Sequence, residues 1–163
     1  MAAGDILTKQ GNSITFAASG GNVLLTLTSL AATAGRKSDA VDLTSTFGPR
    51  YRVQLETKFA TSPTAGKPVE IYWASGYDTG SYDGGVTAGD ATFTDTDLNR
   101  QLFLIGVAYA DNSTNAQQQS WVFYPPSRYG VLVVYNGGDQ ALSATAGDHV
   151  ITLTQLIDQY QSS

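Results

Sequence analysis

The sequence predicts an all-β protein: a single-domain β-sandwich, jelly-roll-like, with eight or nine strands and little helix. Three observations predict it. From Arg50 to Phe59 the residue types alternate, with Tyr51, Val53, Leu55, Thr57 and Phe59 on one face and Arg52, Gln54, Glu56 and Lys58 on the other. A period of two belongs to a strand with one face in a core and one in water. Several more short apolar runs follow, each bounded by Gly, Pro, Ser, Thr or Asn, the punctuation of strands joined by turns. Charged residues make up only 14% of the chain and there are 17 glycines, a composition that suits a loop-rich β protein better than a helical one.

Taken in order, Met1 to Phe16 is polar apart from Ile6, Leu7, Ile14 and Phe16. Residues 1–16 are expected to form an N-terminal arm or extended segment ordered by a neighbouring molecule, with the sandwich running from 17 to 163. Val23 to Thr28 and Ser38 to Leu43 are predicted strands. After the alternating strand, "TSPTAGKP" breaks the pattern and Pro68 to Trp73 resumes it, with Val69, Ile71 and Trp73 inward; the two strands read as a hairpin with a long tip. Leu102 to Val107, Trp121 to Tyr124 and Gly130 to Tyr135 are apolar on both faces. Pro125-Pro126 ends the second of these, because proline cannot donate to a sheet ladder. Val150 to Leu153 closes the series. Asp97 to Gln101 and Leu156 to Tyr160 have room for one helical turn each. Thr-Ala-Gly recurs at Thr33, Thr64, Thr87 and Thr145 at unequal spacing, each copy beside a strand boundary, so it punctuates turns rather than marking a structural repeat.

A chain of 163 residues buries about two-thirds of its unfolded surface and needs no metal or disulfide to fold. The absence of cysteine excludes thiolate metal sites, thiol nucleophiles and disulfides. A net charge of −5 argues against direct nucleic-acid binding, which needs clustered Lys and Arg. Neither a secretory leader nor a membrane span is expected.

The chemistry-bearing candidates are few. "YDTGSY", Tyr77 to Tyr82, contains Asp-Thr-Gly-Ser, the tetrapeptide that marks the catalytic aspartate of pepsin-like proteases. Such enzymes place two carboxylates together, an apolar strand leads into each aspartate, and a flap hairpin follows. Here there is one copy, approached by Ala74-Ser75-Gly76 and followed by a Gly/Asp-rich loop, so the tetrapeptide reads as a turn. Asp78, Asp83, Asp90 and Asp95 crowd that loop and are weak candidates for a structural calcium site, which wants six or more oxygen ligands; their spacing matches no EF-hand. The lone histidine, His149, alternates with Ile151 and Leu153 and points to the core rim, where finding a hydrogen-bond partner is its expected role. No catalytic residue, cofactor site or firm metal site is expected. Tyr72, Tyr77 and Tyr82 would be the stacking residues of a sugar binder.

From "FATSPTAGKPVEIYWA" through "QLFLIGVAYA" and "FYPPSRYGVLVVYNGG" to "HVITLTQLIDQY", the chain resembles small β-sandwich structural proteins of tailed bacteriophage virions. The resemblance spans roughly Arg50 to Gln161 as an order of features, without a diagnostic motif. It implies a non-enzymatic head decoration or cement protein, assembled in host cytoplasm and located in the virion. The implied partners are the major capsid protein and copies of itself, with a homotrimer favoured. Apolar strand faces would supply the contacts, for which Ile6, Leu7, Leu102, Leu104, Leu132 and Val134 are candidates. A tail or fibre component and a carbohydrate-binding module are the alternatives.

Overall fold

The structure, a computed structural model, describes residues 6–43, 48–94 and 101–160. Among these residues ten strands make two five-stranded sheets: β1 (Ile6–Ala17), β2 (Val23–Leu24), β3 (Ala34–Asp42), β4 (Tyr51–Thr57), β5 (Pro68–Gly76), β6 (Ala91–Phe93), β7 (Phe103–Tyr109), β8 (Gln117–Phe123), β9 (Tyr129–Asn136) and β10 (Val150–Tyr160). One sheet runs β2-β1-β10-β4-β8 and the other β6-β3-β9-β5-β7. The long strands pair in a nested series: β1 with β10, β3 with β9, β4 with β8, and β5 with β7, all antiparallel. The chain is thus one long double ribbon, doubled back between β5 and β7 and rolled into two facing sheets. That arrangement is a jelly roll.

The nesting corrects the expected hairpin. β4 and β5 lie in different sheets, so "TSPTAGKP" is a crossing between layers and not a hairpin tip. Alternation sets which residues face a core; it carries no information about the strand opposite. The inward faces are as expected, however. Tyr51, Val53, Leu55, Phe59, Val69, Ile71 and Trp73 are all buried between the sheets.

Other boundaries move for identifiable reasons. The expected arm is a strand of this chain's own sheet: β1 runs along β10 from Ile6↔Tyr160 to Phe16↔Ile151, and Ile14 and Phe16 join the core. β1 therefore continues across the expected boundary at residue 16, and residues 6–17 are paired with this chain's own last strand. The side chains of Ile6 and Leu7 lie outside the described residues. Because β1 supplies a partner along its whole length, β10 continues to Tyr160, and the helical turn expected at Leu156 to Tyr160 does not form. The turn expected at Asp97 to Gln101 falls mostly outside the described residues. Of Val23 to Thr28 only Val23–Leu24 pair, parallel to β1; Leu25 and Leu27 reach the core from irregular backbone.

The outer face of β9 decides how the doubly apolar strands are read. Leu132 and Val134 point into the sandwich core and are fully buried, so they are not partner contacts. Val131 and Val133, on the opposite face, are fully buried too. They are roofed by the chain itself: the segment from Tyr77 to Phe93 crosses this sheet and lays Tyr82, Val86 and Phe93 over Tyr72, Ala74, Val131 and Val133 in a second apolar cluster. The surplus apolar surface of β9 therefore meets its own loop.

Three strands carry bulges. β1 gains a residue against β10 between Gln10 and Ser13, β3 against β9 between Lys37 and Ala40, and β7 against β5 at Ile105. In β3 the bulge would strand the Leu132 amide. Ser38, fully buried, accepts from it at 3.0 Å and donates its own hydroxyl proton to the Asp39 carbonyl, which keeps both polar groups satisfied.

Candidate functional site

The tetrapeptide forms a tight turn. Asp78 Oδ1 accepts from the amides of Gly80 and Ser81, each at 2.8 Å, an Asx-type turn in which the carboxylate replaces a backbone acceptor. Those bonds, the one from Gly80 foremost, hold the Asp78 carboxyl below its ordinary value. Tyr82 Oη donates to the Thr79 carbonyl at 2.9 Å. Its ring lies so close over Gly76 that a Cβ there would fall 2.7 Å from it. Here the aspartate organises backbone.

The other aspartates of the loop do not join it. Asp83 opens the 3-10 turn Asp83–Gly85. Asp90 is the anchor of the segment that roofs β9. Its Oδ1 takes Arg36 Nε and its Oδ2 takes Arg36 Nη2, both at 2.7 Å, and Oδ1 also accepts the Thr26 amide at 2.9 Å. Burial raises its carboxyl, but the bonds from Arg36 and Thr26 outweigh that and hold its pKa at about 2. Asp95 lies outside the described residues. Among the described residues no three His, Cys, Asp or Glu side chains gather as a metal site, and Asp78, Asp83 and Asp90 hold separate turn and ion-pair places. The Arg36–Asp90 pair had no local sequence signal, since its members are 54 residues apart.

Of the three candidate stacking tyrosines, two are buried. Tyr72 and Tyr82 belong to the second cluster, and Tyr72 Oη donates to Glu70 Oε2 at 2.8 Å, burial pushing its pKa up. Tyr77 alone is exposed to solvent, at 82%. It overhangs an open cleft of about 350 Å³ whose other walls include Ser81, Asp83 and Ser127.

His149 is buried and held at both nitrogens. Nε2 lies 2.9 Å from the Ser143 carbonyl and Nδ1 lies 3.0 Å from Thr57 Oγ1. A carbonyl can only accept, so Nε2 carries the proton and Nδ1 accepts from the threonine. Burial lowers its pKa below 6.5, so the folded state resists protonation that the unfolded chain accepts. Stability is full above pH 6.5 and falls as the pH drops from there toward the lowered folded value, by at most about 1.4 kcal/mol per pH unit. Since this is the only histidine, urea unfolding between pH 5 and 7.5 is expected to show that slope, and His149→Gln to flatten it.

The remaining candidate surface is the narrow side of the sandwich where edge strands β7 and β8 adjoin. Leu104 and Tyr109 of β7 are exposed, at 47% and 60%, as are Val122 of β8 and Tyr124 just beyond it, at 54% and 58%. The half-exposed ring of Phe103 packs against Phe123 at 5.7 Å and ties the two edges together. Leu102 is half-buried against the second cluster. Thus of the described apolar contact candidates, Leu104 remains available. Val122 and Tyr124 lie in the run Trp121 to Tyr124 whose double apolarity was visible in sequence, although neither was among the named contact candidates; Tyr109 was not singled out, because alternation cannot identify edge strands. No protein-family model matches this chain, and a search of curated proteins finds no significant match.

Proposed function

We propose that this chain is a non-enzymatic structural protein of a phage virion, a decoration protein that sits on the outer surface of the head and stabilises it through apolar contacts. The observation that carries this reading is the pair of exposed apolar side chains on the outer face of β7, Leu104 and Tyr109, on an otherwise acidic chain of net charge −5. Exposed apolar residues gathered in one place mark contact surfaces. The jelly roll is a fold of viral coat proteins as well as of lectins, which supports the virion reading without selecting it. The carboxylates of Asp78 and Asp90 and both nitrogens of His149 are engaged in structural bonds. Fold-building rather than turnover accounts for each.

The test is cosedimentation of the purified protein with expanded heads of the phage that encodes it. Binding should saturate at a copy number set by the capsid lattice, and Leu104→Asp should weaken it at least tenfold without lowering the melting temperature, the exposed side chain having little to lose in the monomer. No association with heads, and no such protein among the peptides of purified particles, would end the proposal. The cleft under Tyr77 favours a second reading, a saccharide subsite in which the exposed ring stacks on a sugar. In that case Tyr77→Ala should abolish binding to a glycan panel that the parent chain binds.

A further inference from the structure

Every sheet edge offers unpaired N–H and C=O groups to another chain, and folded proteins blunt such edges with bulges, charges or very short strands. Three of the edges here are blunted. β2 and β6 are two and three residues long. The strands behind them, β1 and β3, each carry a bulge, with Lys9 in one and Arg36, Lys37, Asp39 and Asp42 in the other. β7 is bulged at Ile105. β8 is different. It pairs with β4 without a register break from Tyr51↔Phe123 to Thr57↔Gln117, and its sequence, QQQSWVF, contains no charge, no proline and no glycine. Among the described residues no backbone hydrogen bond reaches its free side.

We infer that β8 is the contact by which two copies of this chain associate, pairing antiparallel with β8 of the second copy across a two-fold axis. An antiparallel edge is complementary to itself, so one patch serves both partners, and a charge-free strand lets two chains of net charge −5 approach without like charges opposed. Full overlap of Gln117–Phe123 sets the register. Ser120 lies opposite Ser120 of the second copy, and Val122 and Trp121 lie opposite Gln118 and Gln119 of the second copy. The product is one ten-stranded sheet formed from two β2-β1-β10-β4-β8 sheets, with the exposed Val122 and Tyr124 flanking the seam. The inference stands apart from the virion reading, and its dimer differs from the trimer that the resemblance implies.

Sedimentation equilibrium of the full chain should give the mass of a dimer, and hydrogen exchange should show the alternate β8 amides that point away from β4 protected in proportion to dimer and released on dilution. Ser120→Lys places two like charges directly opposite each other at the axis on the solvent face, and it should weaken the dimer roughly tenfold or more with an unchanged circular dichroism spectrum. Opposed strand residues lie about 4.5–5.5 Å apart between Cα atoms, within disulfide reach. In a chain without cysteine, Ser120→Cys should therefore join two copies on oxidation by copper phenanthroline, whereas Thr152→Cys, two strands away in the same sheet, should not. A monomer at about 100 μM, a trimer with freely exchanging β8 amides, or a dimer that Ser120→Lys leaves intact would overturn the inference.

Discussion

Gly130→Ala is expected to prevent folding or to destabilise the protein by about 3 kcal/mol or more. Gly130 sits in β9 with its missing side chain aimed at Trp73, and a Cβ there would fall 2.1 Å from two carbons of the indole. The indole cannot retreat. Trp73 is completely buried, and the Phe123 ring packs against it with ring centroids 5.4 Å apart. Overpacking a core usually costs 1–3 kcal/mol when neighbours can shift; here the neighbour is a rigid ring wedged between two sheets, so the upper end or beyond applies. Urea unfolding followed by tryptophan fluorescence measures the loss. Gly147→Ala is the control, because a Cβ there meets nothing within 4 Å, and it should change stability by less than about 0.5 kcal/mol. Equal effects from both would show that β9 does not lie this close to Trp73.

Asp90→Ala is expected to cost about 3 kcal/mol, the usual scale for removing one member of a substantially buried, bidentate ion pair. It strands two guanidinium donors of Arg36 and the Thr26 amide at once, with the Asp90 side chain only 8% exposed in the parent. Its effect should also be visible in where the damage falls. Lys37 Nζ still holds the Thr87 carbonyl and the Gly89 amide still reaches Ser38, but the clamp beside β6 is gone. The segment over β9 should then open before the sandwich does, exposing Val131 and Val133. Dye binding to apolar surface and protease cleavage within residues 77–94, at denaturant concentrations that leave the sandwich intact, are the readouts. Acid should produce the same state in the parent chain. With a folded pKa of about 2 against 3.8 unfolded, the stability from this carboxylate is full above pH 3.8 and lost as the pH falls through about 2. That is on the order of 2 kcal/mol. Asp90→Ala should lack this part of the acid transition.

Tyr51 to Phe59 shows what local pattern can establish. Its alternation named the buried face correctly because pleat geometry forces successive side chains to opposite sides, whatever the partner strand is. The turn at Asp78 was readable for a similar reason: its hydrogen bonds close over two and three residues. Val131 and Val133 show the limit. Their apolarity is visible in sequence, yet an outer face covered by another molecule and one covered by residues 77–93 call for the same side chains. Tyr72 and Tyr82 were candidate platforms for the same reason, since nothing local separates a ring lying on a sheet from one standing in water.

From the sequence by itself came the class of the protein, the inward residues of its best strands, the turns, and the structural role of its only histidine. All of these depend on contacts within a few residues or on the strand period alone. Only the tertiary structure decided that first strand pairs with last, that Asp90 meets Arg36, that β9 is roofed by its own chain, and that β8 is an unbulged sheet edge. Each of those joins residues far apart along the chain, and the free energy that selects them comes from burying two sheets against each other, which no short window of sequence contains.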